Sequence, residues 1–375
     1  MGARKSNLLC FLLIGVLLLA PVAAMAQGAK AAAQADWDKT IELGKKEGKV
    51  VVSVPASAEL RKQLEAAFAA KFPGIELELN VARGGTNINK IVEEQAAGVH
   101  SIDLHIGGTT SIITGLLGQN LLESLAPVML LPEVKEPKNW WGGHIWTDRA
   151  KKYVYIFTAY ITETAWYNAT LVKPEEITSY DDLLDPKWKG KIAILDPRTP
   201  GSGESTWAFL WRIKGEQFLT KLAAQDMLVG RNLRQLAESV ARGKSALSIG
   251  VSYYTYLPFV KSGLPVKPIT TVKEGFYASS GSGNIALIKG AAHPNAAKVF
   301  VNWLLSKEGQ TVFTKALGQP TRRLDVDTKW TRDFGHVSVK EGLTPEKYDE
   351  LETSSEDVVL KVRKPAMQLA EKLFR

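Results

Sequence analysis

Hydroxyl residues occur in four loops, three of which also contain glycine, and each loop follows a predicted strand and precedes a predicted helix. Glycine lets backbone N–H groups approach a ligand, and a helix N-terminus presents unpaired N–H groups with a partial positive charge. Arg83 and Arg198 lie in two of these loops and would add bidentate hydrogen bonds to a carboxylate or phosphate. The loops therefore predict a site for an anion. The candidate residues in them are Ser57, Arg83, Thr86, Thr109, Thr110, Arg198, Ser202, Gly203, Glu204 and Ser205.

Each loop taken singly has a second interpretation, because serine, threonine and glycine also serve simply as helix caps. The prediction of a site depends on several loops meeting at one edge, since ligands of open parallel α/β sheets bind beyond the carboxyl ends of the strands. None of the loops has the GxxxxGK[ST] or GxGxxG pattern of a nucleotide site. We interpret the turn Gly281-Ser282-Gly283 as a flexible hinge rather than as part of the site.

An aromatic cluster, Tyr253-Tyr254-x-Tyr256, follows another predicted buried strand. At that position the tyrosines either line a pocket with rings and phenol groups or begin a helix and pack against a neighbouring lobe. Both interpretations stay open, and Tyr253 and Tyr254 join the candidate ligand residues. The aromatic stretch 140–144 is a weaker candidate for the wall of a cleft, since tryptophans mostly pack in protein interiors.

Signals of catalysis or of a resident metal are weak in this chain. The histidines form no HExxH pattern, no GxSxG pattern is present, and the single cysteine is Cys10, within the N-terminal apolar stretch. We therefore expect a protein that is not an enzyme and that carries no cofactor and no catalytic metal. A hydrolase that uses Asp196 or Glu204 is the enzymatic alternative.

Alternating strand and helix patterns position these loops. Residues 49–55 and 75–82 have strand patterns, and the helical pattern between them begins after Ser57. A second helical pattern leads to a short strand pattern over 103–106, which completes a βαβαβ unit. This order predicts an α/β fold with a largely parallel sheet and right-handed crossovers.

A second α/β unit of similar size occupies the middle of the chain. Its strand patterns lie at 191–195 and 246–251, and the extended stretches 153–167 and 277–288 connect it to the first unit. A chain of this length exceeds what one hydrophobic core usually serves, so two lobes are expected. The last fifty residues have mainly helical patterns.

Residues 1–26 have the features of a secretory signal peptide. Arg4 and Lys5 precede an apolar stretch shorter than the ~20 residues that span a membrane, and Ala24-Met25-Ala26 provides a cleavage pattern. We expect residues 27–36 to be a flexible N-terminus of an exported, periplasmic protein. Cleavage removes two basic residues and no acidic ones, so the net charge falls from +8 to +6. Lysine and arginine do not cluster with aromatic residues, which argues against a nucleic acid partner, and a mild positive charge suits a small anion.

The stretch 180–194, YDDLLDPKWKGKIAI, followed by Asp196-Pro197-Arg198 and Gly201-Ser202-Gly203, resembles the family 1 extracellular solute-binding proteins of ABC importers. The chain is most similar to their ferric-iron-type branch, and residues 165–168 and 293–310 agree with it. The resemblance implies a type II periplasmic binding protein fold, in which two lobes close on a ligand about hinge crossings. The expected division is 37–158 plus 285–320 for lobe 1, 159–284 for lobe 2, and 321–375 for C-terminal helices that are not assigned to a lobe.

The resemblance leaves two ligands open. It implies that ferric-binding members hold iron with two adjacent tyrosines, a histidine in the first-strand loop and a carboxylate. Tyr253 and Tyr254 match the tyrosine pair, but the first-strand loop, residues 54–57, contains no histidine. Because ferric iron is a hard cation that takes several charged oxygens, we favour a small organic anion such as a carboxylate, phosphonate or sugar phosphate.

The same resemblance implies the partners of the protein. They are a small anionic solute and the membrane permease of an ABC importer, and the expected state is a monomer. A sensory protein that passes a ligand signal to a membrane receptor is a further alternative.

Overall fold

The computed structural model describes residues 34–374. The predicted signal peptide, residues 1–26, lies outside the described residues, as do residues 27–33 of the predicted flexible N-terminus. Residues 34–36 belong to a helix over 34–47, which corrects the prediction of a flexible chain at these three positions. Gln34 Nε2 donates a hydrogen bond to Asp38 Oδ1 (2.8 Å), one turn further along this helix.

The described chain alternates strands and helices over most of its length. The strands are β1 (Lys49–Val54), β2 (Glu76–Val81), β3 (Leu104–Gly107), β4 (Leu122–Glu123), β5 (Val154–Ile156), β6 (Tyr160–Ile161), β7 (Ala165–Asn168), β8 (Ile192–Leu195), β9 (Leu228–Gly230), β10 (Leu247–Ile249), β11 (Val266–Pro268), β12 (Ala278–Ser279), β13 (Asn284–Ile288) and β14 (Val337–Ser338). The helices are α1 (34–47), α2 (Ala58–Lys71), α3 (Gly84–Ala96), α4 (Thr109–Ser111), α5 (Pro132–Lys135), α6 (Ser202–Ala223), α7 (Leu233–Ala241), α8 (Tyr253–Lys261), α9 (Pro294–Leu305), α10 (Lys307–Leu317), α11 (Pro345–Leu351), α12 (Glu356–Val358) and α13 (Lys364–Leu373). Within the described residues, no helix is both long and apolar enough to cross a membrane.

The first sheet has the strand order β2-β1-β3-β13-β4, with β5 also paired to β13. Strand β1 is parallel to β2 and β3, so the predicted βαβαβ unit is confirmed. The β-branched run of β1 is buried because helices cover both faces of a parallel sheet. Strand β13 returns from the second half of the chain and pairs antiparallel to β3. We call this sheet and the helices packed on it lobe 1.

The second sheet has the order β11-β7-β10-β8-β9 and forms lobe 2. Strands β8, β9 and β10 are parallel, whereas β7 and β11 are antiparallel additions at one side. The predicted two-lobed α/β architecture is therefore observed.

A small third sheet, β12-β6-β14, joins the lobes. Its first two strands belong to the predicted connecting stretches, and the two-residue strand β14 comes from the C-terminal segment, which is otherwise mainly helical as predicted. Helix α13 packs on α6 of lobe 2, where Ala366, Leu369 and Ala370 join the core. The exact lobe boundaries stay a prediction.

Candidate functional site

A cavity of about 120 Å³ lies between the lobes, at the carboxyl ends of the parallel strands. Its walls come from both lobes and from the connecting strands, and most of the side chains are polar. The residues used below are Arg83, Gly84, Gly108, Thr109, Thr110 and Ser111 of lobe 1, Gly201, Ser202, Ser205 and Tyr254 of lobe 2, and Tyr160, Tyr277, Ser279, Ser280, Gly281, Ser282, Gln319 and Arg363 of the remaining segments.

Three helix N-termini meet at this cavity without a side-chain cap from the described part of the chain. They are those of α3, α4 and α6, whose first residues and N-cap residues Arg83, Gly108 and Gly201 line the wall. Helix α4 continues through a π-helical turn, Ile112–Leu116, so that its axis is longer than its first three residues. An uncapped N-terminus has unpaired N–H groups and a partial positive charge.

Side chains cap seven of the other described helices. Hydroxyl or amide caps serve α2, α7, α10, α11 and α12. Carboxylates serve the other two: Glu163 accepts from Tyr253 N at the start of α8, and Glu47 accepts from Ala296 N at the start of α9. Within the described chain the four-residue helix α5 also has no side-chain cap, and α13 continues directly from the π-helical turn Val359–Arg363. The uncapped termini of α3, α4 and α6 converge on one cavity, and together they favour a negatively charged occupant.

Arg83 brings a cationic side chain to the mouth of the cavity. Its Nη1 donates to the carbonyl oxygen of Arg231 (2.9 Å) and its Nη2 lies 3.3 Å from Thr199 Oγ1, so the side chain crosses from lobe 1 to lobe 2. Burial lowers the pKa of Arg83 below its ordinary value, yet arginine stays charged at neutral pH. No carboxylate among residues 34–374 forms an ion pair with it, so its charge is available to an anion.

The structure does not bring Arg198 to the cavity, contrary to the prediction. Its guanidinium pairs with Asp196 (Nε–Oδ1 2.8 Å) and donates to the carbonyl oxygen of Phe374. Although burial of Asp196 opposes ionisation, hydrogen bonds from Arg198 and Arg231 lower the pKa of this carboxyl group to about 2. Asp196 is thus ionised at neutral pH, is paired with two arginines and does not line the cavity.

Four more predicted residues do not line the cavity. Ser57 caps α2 by accepting from Leu60 N (3.2 Å), and Thr86 is an exposed residue of α3. Gly203 lies against strand β8, where an added Cβ would come within 2.2 Å of the Leu195 carbonyl oxygen. Glu204 is fully buried behind the wall. The predicted residues that do meet there are Arg83, Thr109, Thr110, Ser202, Ser205 and Tyr254.

The two adjacent tyrosines have different environments. Tyr254 lines the cavity, whereas Tyr253 is buried with its ring stacked near that of Trp166 (centroids 6.0 Å apart). The pocket and packing interpretations thus apply to one tyrosine each. Tyr160 and Tyr277, which the sequence analysis did not select, supply the other phenol groups of the wall.

Burial keeps these phenol groups protonated. It raises the pKa of Tyr254 and Tyr160, and it raises that of Tyr277 to about 12. The described residues contain no group of three or more His, Cys, Asp and Glu side chains that could hold a metal ion. As it stands, the wall offers hydrogen-bond donors rather than charged oxygens.

The turn that the sequence analysis treated as a hinge forms part of the wall. Gly281 has φ +53°, and a Cβ there would come within 2.3 Å of the Tyr160 hydroxyl group, so glycine is required. Ser280 Oγ is buried with no hydrogen-bond partner inside the described ranges. The clustered serines of 279–282 were the sequence signal for this wall, but their spacing alone does not distinguish it from a flexible turn.

Arg363 is a further residue of the cavity wall that the sequence analysis did not select. It is buried at the rear of the cavity, where Nη2 and Nε hold the two oxygens of Glu204 (2.6 and 2.9 Å). Thr110 Oγ1 also donates to Glu204 Oε2 (3.2 Å). The stretch 140–144, proposed as a cleft wall, contributes instead to lobe 1, where Trp140 is buried against Tyr155 (centroids 5.5 Å apart).

Comparisons with solved structures support the two-lobed periplasmic binding protein fold. The iron-bound HitA of Pseudomonas aeruginosa is 20% identical with a TM-score of 0.64, over 87% of this chain and 99% of that protein. The periplasmic binding protein AfuA of Actinobacillus pleuropneumoniae, with fructose 6-phosphate bound, is 21% identical with a TM-score of 0.62, over 86% and 97%. At these identities the likeness shows the fold alone.

Sequence relatives lead to the same class of protein. Iron uptake protein A2 of Synechocystis sp. is 28% identical over 203 residues, which cover 49% of this chain and 54% of the relative. The chain spans only 39% to 54% of the length of the curated relatives it matches. The profile of the family described as bacterial extracellular solute-binding protein matches residues 49–316. The chain therefore belongs to the family of bacterial extracellular solute-binding proteins.

Proposed function

We propose that this protein is the periplasmic solute-binding component of an ABC importer and that it captures a small organic anion between its lobes. A carboxylate, phosphonate or sugar phosphate would have the required charge. Ligand binding would shift the lobes toward the closed arrangement, which then docks on the membrane permease and releases the solute there.

The convergence of three uncapped helix N-termini on one cavity carries this proposal. Each terminus supplies N–H donors and a partial positive charge. An anion that lies between them would accept hydrogen bonds from all three termini at once. Arg83 adds a full positive charge at the mouth, without a carboxylate partner in the described structure. The hydroxyl groups of Thr109 and Ser202 and the serine turn would orient the rest of the ligand.

Ferric iron is the second candidate cargo. The names of the Synechocystis relatives and the iron-bound HitA favour it, and three tyrosines line the cavity. Against it, Tyr253 packs away from the cavity, and the cavity wall of the described structure contains no carboxylate and no histidine to add to the tyrosines. The cavity chemistry therefore supports the organic anion better.

The proposal also includes the location of the protein and its partners. The signal peptide pattern of residues 1–26 supports a periplasmic location, and the family supports transport without catalysis. The expected partners are the small anion and the importer permease, with the protein acting as a monomer.

A thermal-shift panel with citrate, ferric citrate, fructose 6-phosphate and inorganic phosphate tests the choice of ligand class. We expect one of the iron-free anions to raise the melting temperature, and Arg83→Gln to weaken its affinity at least tenfold, since a hydrogen bond to a charged group contributes about 1.5–3 kcal/mol. Arg234→Gln is the matched control, because Arg234 is exposed and lines only the neighbouring groove. Stabilisation by ferric citrate alone, unaffected by Arg83→Gln, would overturn the proposal.

A further inference from the structure

Arg363 belongs to a C-terminal segment that lies beyond residues 49–316, the part of the chain that matches the family. This segment is anchored on lobe 2: Trp207 Nε1 donates to the Ala366 carbonyl oxygen (3.1 Å), and the rings of Trp207 and Phe374 pack 5.3 Å apart. From this anchor the Arg363 side chain reaches across the space between the lobes.

The contacts of the Arg363 guanidinium join the two lobes. On lobe 2 it holds both oxygens of Glu204 and the Ser205 hydroxyl group (2.5 Å). On lobe 1, Nη1 donates to Thr109 Oγ1 (3.1 Å), and the same atom donates to the carbonyl oxygen of Thr353 (2.9 Å). These contacts use all five N–H donors of an arginine. Arg363 consequently has no donor left for a ligand, unlike Arg83.

The ion pair also determines the direction of a hydroxyl group in the cavity. Because Thr109 Oγ1 accepts a hydrogen bond from Arg363, its own proton is free to donate, and Thr109 lines the cavity. Thr110 does the opposite, since it donates to Glu204 (3.2 Å) and thereby adds a second contact between the lobes.

We propose that Arg363 is a positioning residue that shifts the equilibrium of the lobes toward the closed arrangement and aims the Thr109 hydroxyl proton into the cavity. The second part rests on the proposed function, whereas the first concerns the protein without ligand. The Arg363–Glu204 pair is nearly fully buried, with side-chain exposures of 6% and 0%, so water competes little with these contacts. The latch is therefore Arg363 and Glu204 on one side and Thr109 and Thr110 on the other.

The test is small-angle X-ray scattering of the ligand-free protein and its variants, with thermal unfolding measured in parallel. Thr109→Val with Thr110→Val removes the lobe 1 half of the latch and leaves the buried ion pair intact. We expect the radius of gyration to rise above the ~20 Å of a compact chain of this length. Thr114 is an exposed residue one turn along the same helical segment, and its hydroxyl group donates to the Thr110 carbonyl oxygen rather than to lobe 2. Thr114→Val is therefore the control and should leave the radius unchanged.

Arg363→Met and Glu204→Gln separate positioning from simple stabilisation. Each single variant should open the lobes and lower the melting temperature, because it leaves one buried charge unpaired. The double variant should recover most of the melting temperature and remain more open than the unmodified protein, since Thr109 then has no partner on lobe 2 and only Thr110 keeps an acceptor at position 204. Arg363→Lys should close the lobes only in part, because an ammonium group lacks the arginine fork.

Two outcomes would overturn the proposal. One is a valine double variant as compact as the unmodified protein, and the other is an Arg363→Met/Glu204→Gln variant that recovers compactness together with stability. Neither outcome depends on the identity of the ligand, so a failure of the anion proposal leaves this test intact.

Discussion

Two arginines cross between the lobes at opposite ends of one cavity, and their environments differ. Arg83 at the mouth is half-buried, donates to a carbonyl and a hydroxyl group, and has no ion pair with a carboxylate of residues 34–374. Arg363 at the rear is buried, and Glu204 neutralises it. We infer from this comparison that the charge of Arg83 is available to a ligand, whereas the charge of Arg363 is neutralised by Glu204 within the protein.

Removal of one partner of the rear pair should have the largest effect on stability. Glu204→Gln leaves the Arg363 charge buried without a counter-charge, and we expect the free energy of unfolding to fall by about 3–5 kcal/mol. Urea denaturation measures this change. Glu238→Gln breaks an exposed pair with Arg242 and should cost less than about 1 kcal/mol. Equal effects of the two substitutions would remove the distinction between buried and exposed charges.

The glycines near the two arginines extend the comparison. An added Cβ at Gly203, near the rear, would come within 2.2 Å of the Leu195 carbonyl oxygen, whereas one at Gly85, near the mouth, would contact nothing within 4 Å. We expect Gly203→Ala to destabilise the protein by about 1–3 kcal/mol through overpacking. Gly85→Ala should be neutral or slightly stabilising, since alanine favours a helix. Thermal unfolding of both variants checks this. An unchanged melting temperature for Gly203→Ala would show that the α6 terminus does not need its close approach to β8.

Two buried histidines should give opposite pH dependences. Burial alone would lower the pKa of His336, but contacts with Glu163 (2.7 Å) and the Gly318 carbonyl oxygen (2.7 Å) outweigh it and raise the pKa above 6.5. The stabilisation of the folded state by charged His336 is complete below pH ~6.5, and it is lost as the pH rises through the raised pKa of His336. Burial lowers the pKa of His105 to about 3, so protonation of the unfolded chain reduces stability as the pH falls below ~6.5.

Unfolding free energies from pH 4 to 9 test this pair of predictions. His336→Gln should flatten the loss of stability at alkaline pH and leave the acid side unchanged. A variant that changes only the acid side would contradict the assignment of a charged His336 beside the connecting strands.

The smallest effect is expected at Arg198, which the sequence analysis placed in the site. Its pairing with Asp196 takes it away from the cavity, so Arg198→Gln should change ligand affinity less than twofold, whereas Arg83→Gln should reduce it at least tenfold. Titration calorimetry of both variants with the anion found in the thermal-shift panel measures the difference. Comparable losses would mean that the two loops contribute equally.

The sequence was sufficient for the architecture because the strand and helix patterns are local. The β-branched run of β1 and the glycine loops at 84 and 108 were predicted from adjacent residues. In the structure the run is a buried strand and the two loops line the cavity. Helix caps were harder to separate from ligand residues, because a serine before a helix looks the same in both roles. Ser57 has its partner within α2, whereas Ser202 donates to the Gly250 carbonyl oxygen and leaves the α6 terminus open.

The rear of the cavity was not predictable, since its contacts join residues that are far apart in the chain. Arg363 meets Glu204 across 159 positions and Thr109 across 254, and no local pattern marks it among the other basic residues of the C-terminal segment. Tyr253 and Tyr254 are neighbours of the same type, so only tertiary packing decides that one stacks near Trp166 and the other lines the cavity.

Native mass spectrometry of the protein purified from the periplasm, compared with its denatured mass, tests the central claim most directly. The proposal predicts an excess mass of a small organic anion that is lost in the Arg83→Gln variant and retained in Arg234→Gln. An excess mass equal to iron, with a visible tyrosinate absorbance that Tyr254→Phe abolishes, would contradict it and identify the protein as a ferric carrier.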